Sequence, residues 1–98
     1  DADVITPTIA HQNTSVYAQY SIRVKDREGV MEKLNKEGIP TAVHYPLPLH
    51  LQEAFRDLGY KEGDFAVSEK VSKEIMSLPM SPYLTKSQQD FIVQVIKG

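Results

Sequence analysis

Ninety-eight residues make one domain at most, and 41% hydrophobic with 24% charged residues is the balance of a folded chain rather than a disordered one. A net charge of -2 gives no electrostatic case for binding nucleic acid or an anionic membrane surface. With no cysteine the chain has no disulfide, thiolate nucleophile or thiolate metal site; small secreted chains usually carry disulfides, so the composition points to the cytoplasm. The apolar runs are only a few residues long, too short to span a bilayer, and no N-terminal signal pattern is present. The start, Asp1-Ala2-Asp3, is not an initiator methionine and suggests processing or excision from a longer chain.

Residues 1–15, rich in Thr and Asn with Pro7, show little periodicity and are expected to form a tether ahead of a domain over 16–98. Residues 16–25 alternate, with Val16, Ala18, Tyr20, Ile22 and Val24 on one side and Tyr17, Gln19, Ser21, Arg23 and Lys25 on the other. That period of two predicts a half-buried strand. Asp26 then offers an N-cap, its carboxylate placed to accept backbone N–H groups. Val30, Met31 and Leu34 form an apolar stripe on a helix over 27–37, and Gly38 supplies its left-handed stop. Residues 39–43 read as a second short strand.

The next stretch carries the most information. His44-Tyr45-Pro46-Leu47-Pro48-Leu49-His50-Leu51-Gln52 holds two histidines and two prolines. Each proline fixes its own φ, lacks an N–H and pushes the residue before it into an extended shape, so Tyr45 and Leu47 are kept out of helix. The segment is expected to be a stiff loop presenting imidazole and phenol groups at a fixed place, and such loops are where binding sites are commonly built.

A short helix over 51–58 is expected to end at Gly59, and Asp64 to cap the helix that follows. Val67, Val71, Ile75 and Leu78 are spaced as one helical face. Leu78-Pro79-Met80 reads as an edge strand. Thr85 with Gln88 forms a capping-box pattern, and Phe91, Ile92, Val95 and Ile96 supply the buried face of a last helix. The sum is a small α+β layer, about three strands covered on one side by helices, with Tyr20 and Phe91 in its core. The second sheet face, carrying Tyr17, Gln19 and Arg23, is free to rest on something outside this chain.

His11, His44 and His50 lack the spacing of a metal site, and no His-Glu-x-x-His pattern exists. No Gly-x-Ser-x-Gly elbow supports a serine triad, and the glycines are scattered as turn and cap residues rather than gathered into a phosphate loop. His44, at the end of a predicted strand, is either a structural histidine bonded to a loop carbonyl or a donor to a substrate oxygen or phosphate. Tyr45 divides in the same way between packing and contact. His50 and Gln52 are weaker candidates, better suited to bracing the loop. No lysine has a sequence context that would tune an amine for Schiff-base work.

Three separated segments carry a family resemblance: Val16-Tyr17-Ala18-Gln19-Tyr20; Gly38-Ile39-Pro40-Thr41 leading into the run from His44 to Gln52; and Ser77-Leu78-Pro79-Met80 with Leu84-Thr85. Their order and spacing, from about Ser15 onward, closely resemble the C-terminal part of the DegT/DnrJ/EryC1/StrS sugar aminotransferases. With Ala18-Gln19 and Tyr60-Lys61-Glu62-Gly63-Asp64, the chain is most similar to the WbpE-type enzymes of lipopolysaccharide O-antigen synthesis.

The resemblance implies a homodimeric pyridoxal-phosphate enzyme of the aspartate-aminotransferase fold (fold type I), of which this chain is the small C-terminal domain. The whole enzyme would move an amino group, usually from glutamate, to a ketone on a nucleotide-linked sugar, with a UDP-linked 3-keto uronic sugar as the nearest candidate. His44 and Tyr45, and more weakly His50, would bind the sugar substrate. Pyridoxal phosphate would be held by a large domain that this chain lacks, together with its aldimine lysine and the aspartate at the pyridine nitrogen, so the fragment alone is expected to bind no cofactor and to be inactive. The face normally packed on that domain would be left apolar and exposed, near Tyr17 or the 44–52 loop. A non-catalytic ligand-binding or regulatory module stays open as the competing reading.

Overall fold

The computed structural model describes residues 3–98. Asp1 and Ala2, at the start of the expected tether, lie outside the described residues. In chain order the elements are β1 (Val4–Ile5), β2 (Tyr20–Val24), α1 (Arg27–Lys36), 3-10 turns at Leu49–Leu51 and Glu53–Leu58, α2 (Ala66–Glu74), β3 (Ile75–Leu78) and α3 (Lys86–Lys97). Among the described residues the strands form one three-stranded antiparallel sheet, ordered β1-β2-β3.

The alternation in β2 does what its period dictates. Ile22 and Val24 are buried, and Tyr20 packs beside them. The register sets Ile22 opposite Met76 and Val4 opposite Val24. Leu34 of α1 and Ile92 of α3 close over this face, and Ile39 completes the core. The α+β layer with helices against one sheet face is therefore as the sequence predicts.

Helix ends follow local chemistry. Asp26 accepts from the Gly29 N–H at 3.1 Å and starts α1. Gly38, at φ 74°, turns the chain so that the Ile39 N–H reaches the Leu34 carbonyl. Thr85 and Gln88 form the reciprocal capping box at the start of α3. Thr85→Ala is expected to cost about 1 kcal/mol, read as a lowered urea midpoint with an unchanged slope.

Several expectations are corrected. The strand predicted over 16–25 covers only Tyr20–Val24. Gln19 would face Pro79, which has no N–H for the ladder. Tyr17 takes φ 47°, with its N–H bonded to the Ser15 side chain, and Val16 is exposed. The strand predicted over 39–43 shrinks to a single bridge between Ala42 and Ser77, because Pro40 removes a donor. Within the stretch read as a tether, Val4–Ile5 adds a strand to the sheet. The segment over 51–58 is 3-10 rather than α-helix, ending at left-handed Gly59.

The largest correction concerns Val67, Val71, Ile75 and Leu78, which do not share a helical face. Helix α2 stops at Glu74, and Ile75 opens β3. Pairing with β2 outweighs continuing the helix, and Arg27 donates to the Ser72 and Ile75 carbonyls at the junction. Val67 is 79% exposed, while α2 buries Glu69 and Ser72 instead. Asp64 does not cap α2; it accepts from the Lys61 N–H and closes a turn, and Phe65 occupies the cap position. The edge strand expected at 78–80 lies earlier, ending at Leu78 before Pro79. Phe91 is exposed rather than in the core, whereas Tyr20 packs against it.

Candidate functional site

The 44–52 loop is tied to β3 just upstream and braced by its own hydrogen bonds further on. Upstream, Ala42 and Ser77 exchange two backbone hydrogen bonds, of 3.1 and 2.7 Å, which tie the chain to β3 two residues before His44. Ser77 is held in turn by its hydroxyl, 2.9 Å from that of Ser21 on β2. Downstream, the Leu51 N–H bonds the Pro48 carbonyl, and the Gln52 amide donates back to the Leu47 carbonyl at 3.1 Å. Gln52 is thus a loop brace. Gln52→Ala is expected to leave the fold intact, costing about 1 kcal/mol or less, while raising amide exchange across 44–52; protection equal to wild type would remove that role.

Between these ties the side chains divide. His44 is exposed and Tyr45 is 75% exposed, so neither is sealed in the domain interior. His44 borders a shallow groove of 370 Å³ together with Gln19, Thr41, Ser77, Pro79 and Met80. Its mostly apolar lining includes the His44 imidazole, the Gln19 amide and the Thr41 hydroxyl, groups suited to hydroxyl and phosphate oxygens. On the other side, Tyr45, Leu47 and Leu49 border an apolar recess of 500 Å³ floored by Val71 and Ile75. Tyr45, Leu47 and Leu49 are exposed around that recess, and Tyr17 is 39% exposed beside Tyr20.

His50 points the other way. Its side chain is 7% exposed and faces Glu69 across 3.8 Å, with its ring against Phe65 at 4.8 Å. The structure therefore exposes His44 and Tyr45 at the surface and buries His50 against Phe65 and Glu69. His11 lies in the exposed N-terminal stretch, and among the described residues no three His, Asp or Glu side chains converge as a metal site. Every lysine of the chain is exposed, and Lys25, Lys36 and Lys86 pair with surface carboxylates.

Sequence reasoning missed Gln19 and Thr41 as groove residues. Gln19 was hidden in an alternating run, and Thr41 in a predicted strand. It also missed Glu69, which lies off the face predicted from Val67, Val71, Ile75 and Leu78 and is buried all the same; its signal was the Gly63 turn six residues earlier, whose N–H it accepts.

The fold and the loop define a small α+β domain that presents a proline-braced imidazole and phenol at its surface, the imidazole on a groove. The chain matches the DegT/DnrJ/EryC1/StrS aminotransferase family over residues 1–97, and it belongs to that family. It is 48% identical over 79 residues to the UDP-2-acetamido-2-deoxy-3-oxo-D-glucuronate aminotransferase of Pseudomonas aeruginosa, covering 81% of this chain and 21% of that protein. It is 46% identical over 93 residues to the pleiotropic regulatory protein of Geobacillus stearothermophilus, covering 95% of this chain and 25% of that one. Among solved structures, a DegT DnrJ EryC1 StrS aminotransferase from Brucella abortus superposes with a TM-score of 0.87 at 42% identity, over 99% of this chain and 26% of its own. The chain thus spans about a quarter of the length of these relatives. Among the described residues no helix is long and apolar enough to cross a membrane.

Proposed function

We propose that this chain is the small C-terminal domain of a pyridoxal-phosphate-dependent nucleotide-sugar aminotransferase that acts in the cytoplasm, as a homodimer, in lipopolysaccharide O-antigen synthesis. In that enzyme His44 and Tyr45 form one wall of the sugar site, and the amino group comes from glutamate. The observation that carries this reading is the exposure of His44 and Tyr45 on a loop tied to β3 and braced by Gln52, with His44 on a groove beside Gln19 and Thr41, in a chain that matches about a quarter of each sugar-aminotransferase relative. The exposed Tyr45, Leu47 and Leu49, which border one apolar recess, support packing of this side against a larger domain.

The residues of this chain do not fit the cofactor itself. A Schiff-base lysine works when desolvated or set beside another cation, and every lysine here is exposed. The cofactor would be held outside this chain, and what these residues supply is binding and orientation of the sugar.

The test is amino transfer by the full-length natural protein, with glutamate as donor and UDP-2-acetamido-2-deoxy-3-oxo-glucuronate as acceptor. Turnover supports the reading. Binding of the UDP-sugar without turnover favours the regulatory alternative, which the similarity to the pleiotropic regulatory protein keeps alive. Residues 1–98 alone are expected to show no turnover and no absorbance band from bound pyridoxal phosphate; either signal would overturn the domain assignment.

A further inference from the structure

His50 is the buried polar group that the sugar wall does not use. Its Nε2 is fully covered and has no hydrogen-bond partner. An unmade hydrogen bond at a buried nitrogen is costly, so the surroundings should hold a reason for it. Glu69 Oε1 stands 3.8 Å away, more than about half an ångström beyond a hydrogen bond, on a side chain only 11% exposed. That carboxylate does not wander, because the Gly63 N–H donates to both its oxygens at 2.8 and 3.2 Å. The imidazole is gripped from the side by Phe65, which is in turn packed on Tyr60 at 5.0 Å.

The acceptor is thus fixed, and the donor rides on the loop that carries His44 and Tyr45. A small displacement of that loop toward α2 converts the near contact into a charge-assisted hydrogen bond. We propose that His50 is a positioning residue: the His50–Glu69 bond closes when a ligand engages His44 and Tyr45, and its closure seats the loop in its binding position. This rests on the sugar-wall reading given above. Linkage makes the effect reciprocal, so whatever prevents the bond from closing weakens the ligand. His50 itself makes no contact with substrate.

The test uses the full-length protein with His50→Phe, which keeps a ring against Phe65, Glu69→Ala, the double variant, and the near-isosteric Glu69→Gln, which remains informative if a truncation fails to fold. The two half-reactions are followed separately. The KM for the UDP-sugar is expected to rise about tenfold in each single variant, well inside the loss a misplacement of ~1 Å can produce. The double variant is expected to be no worse than either single one, Glu69→Gln to fall between them and wild type, and the glutamate half-reaction to be unchanged. A sugar KM within twofold of wild type, losses that add in the double variant, or an equal fall in both half-reactions overturns the proposal. If wild type neither turns over nor binds the UDP-sugar, the sugar-wall reading fails and the positioning role, which rests on it, falls with it.

Discussion

In the full-length protein, His44→Ala is expected to raise the KM for the nucleotide sugar or lower kcat, so that kcat/KM falls about 10- to 100-fold. The size follows from removing one hydrogen bond to a charged or strongly polarised oxygen, ~1.5–3 kcal/mol. Tyr45→Phe removes only a hydroxyl, ~0.5–1.5 kcal/mol, and is expected to cost about 2- to 10-fold. Neither change touches the core: Tyr45 is largely in solvent and His44 is exposed, so unfolding free energies should change by no more than ~0.5 kcal/mol. The tether at Ala42 and the Gln52 brace hold the backbone whichever side chain stands at 44 or 45. Kinetics unchanged in both variants would remove the site assignment. A large loss of stability with unchanged kinetics would make these residues structural.

Leu34→Ala is expected to have the largest effect on stability. Leu34 is fully buried at the centre of the core, where α1 meets the sheet and Ile92 of α3. A truncation of this kind costs ~2–5 kcal/mol, transfer and cavity terms together. A domain of this size has ~5–15 kcal/mol in total, so the variant should lose a large part of its folded margin. Val67→Ala is the natural comparison. Periodicity puts Val67 on an apolar helical face, but at 79% exposure its truncation should change stability by ~0.5 kcal/mol or less. Urea titrations of the two variants decide between the packings, and equal destabilisation would contradict the observed end of α2 at Glu74.

Features legible in the sequence share one property, which is that their causes lie within a few residues of each other. Asp26 finds Gly29, Thr85 finds Gln88, Gly38 stops α1, and the prolines at 46 and 48 stiffen the loop, all without reference to the rest of the chain. The site followed the same logic in part. That His44 and Tyr45 sit on a stiff loop is local; that His44 is exposed beside Gln19 and Thr41 depends on where β3 and the 16–19 stretch run. Glu69 was illegible because a carboxylate in a helix is solvated by default, and only the Gly63 turn and the His50 imidazole give it partners.

By itself, then, the amino-acid sequence determined the α+β class, the ends of α1 and α3 and the rigidity of the 44–52 loop, because caps, alternation and proline geometry act over a few bonds. Tertiary structure decided that Ile75 leaves α2 to pair with β2, that the 39–43 strand is one bridge, and that His50 lies buried while His44 and Tyr45 face outward. Those outcomes compare the free energy of pairing and burial between segments some 50 residues apart, as Ile22 with Met76 and Ser21 with Ser77. No local pattern carries that comparison, since an Ile at a strand start and an Ile on a helical face look alike until the partner strand is in place.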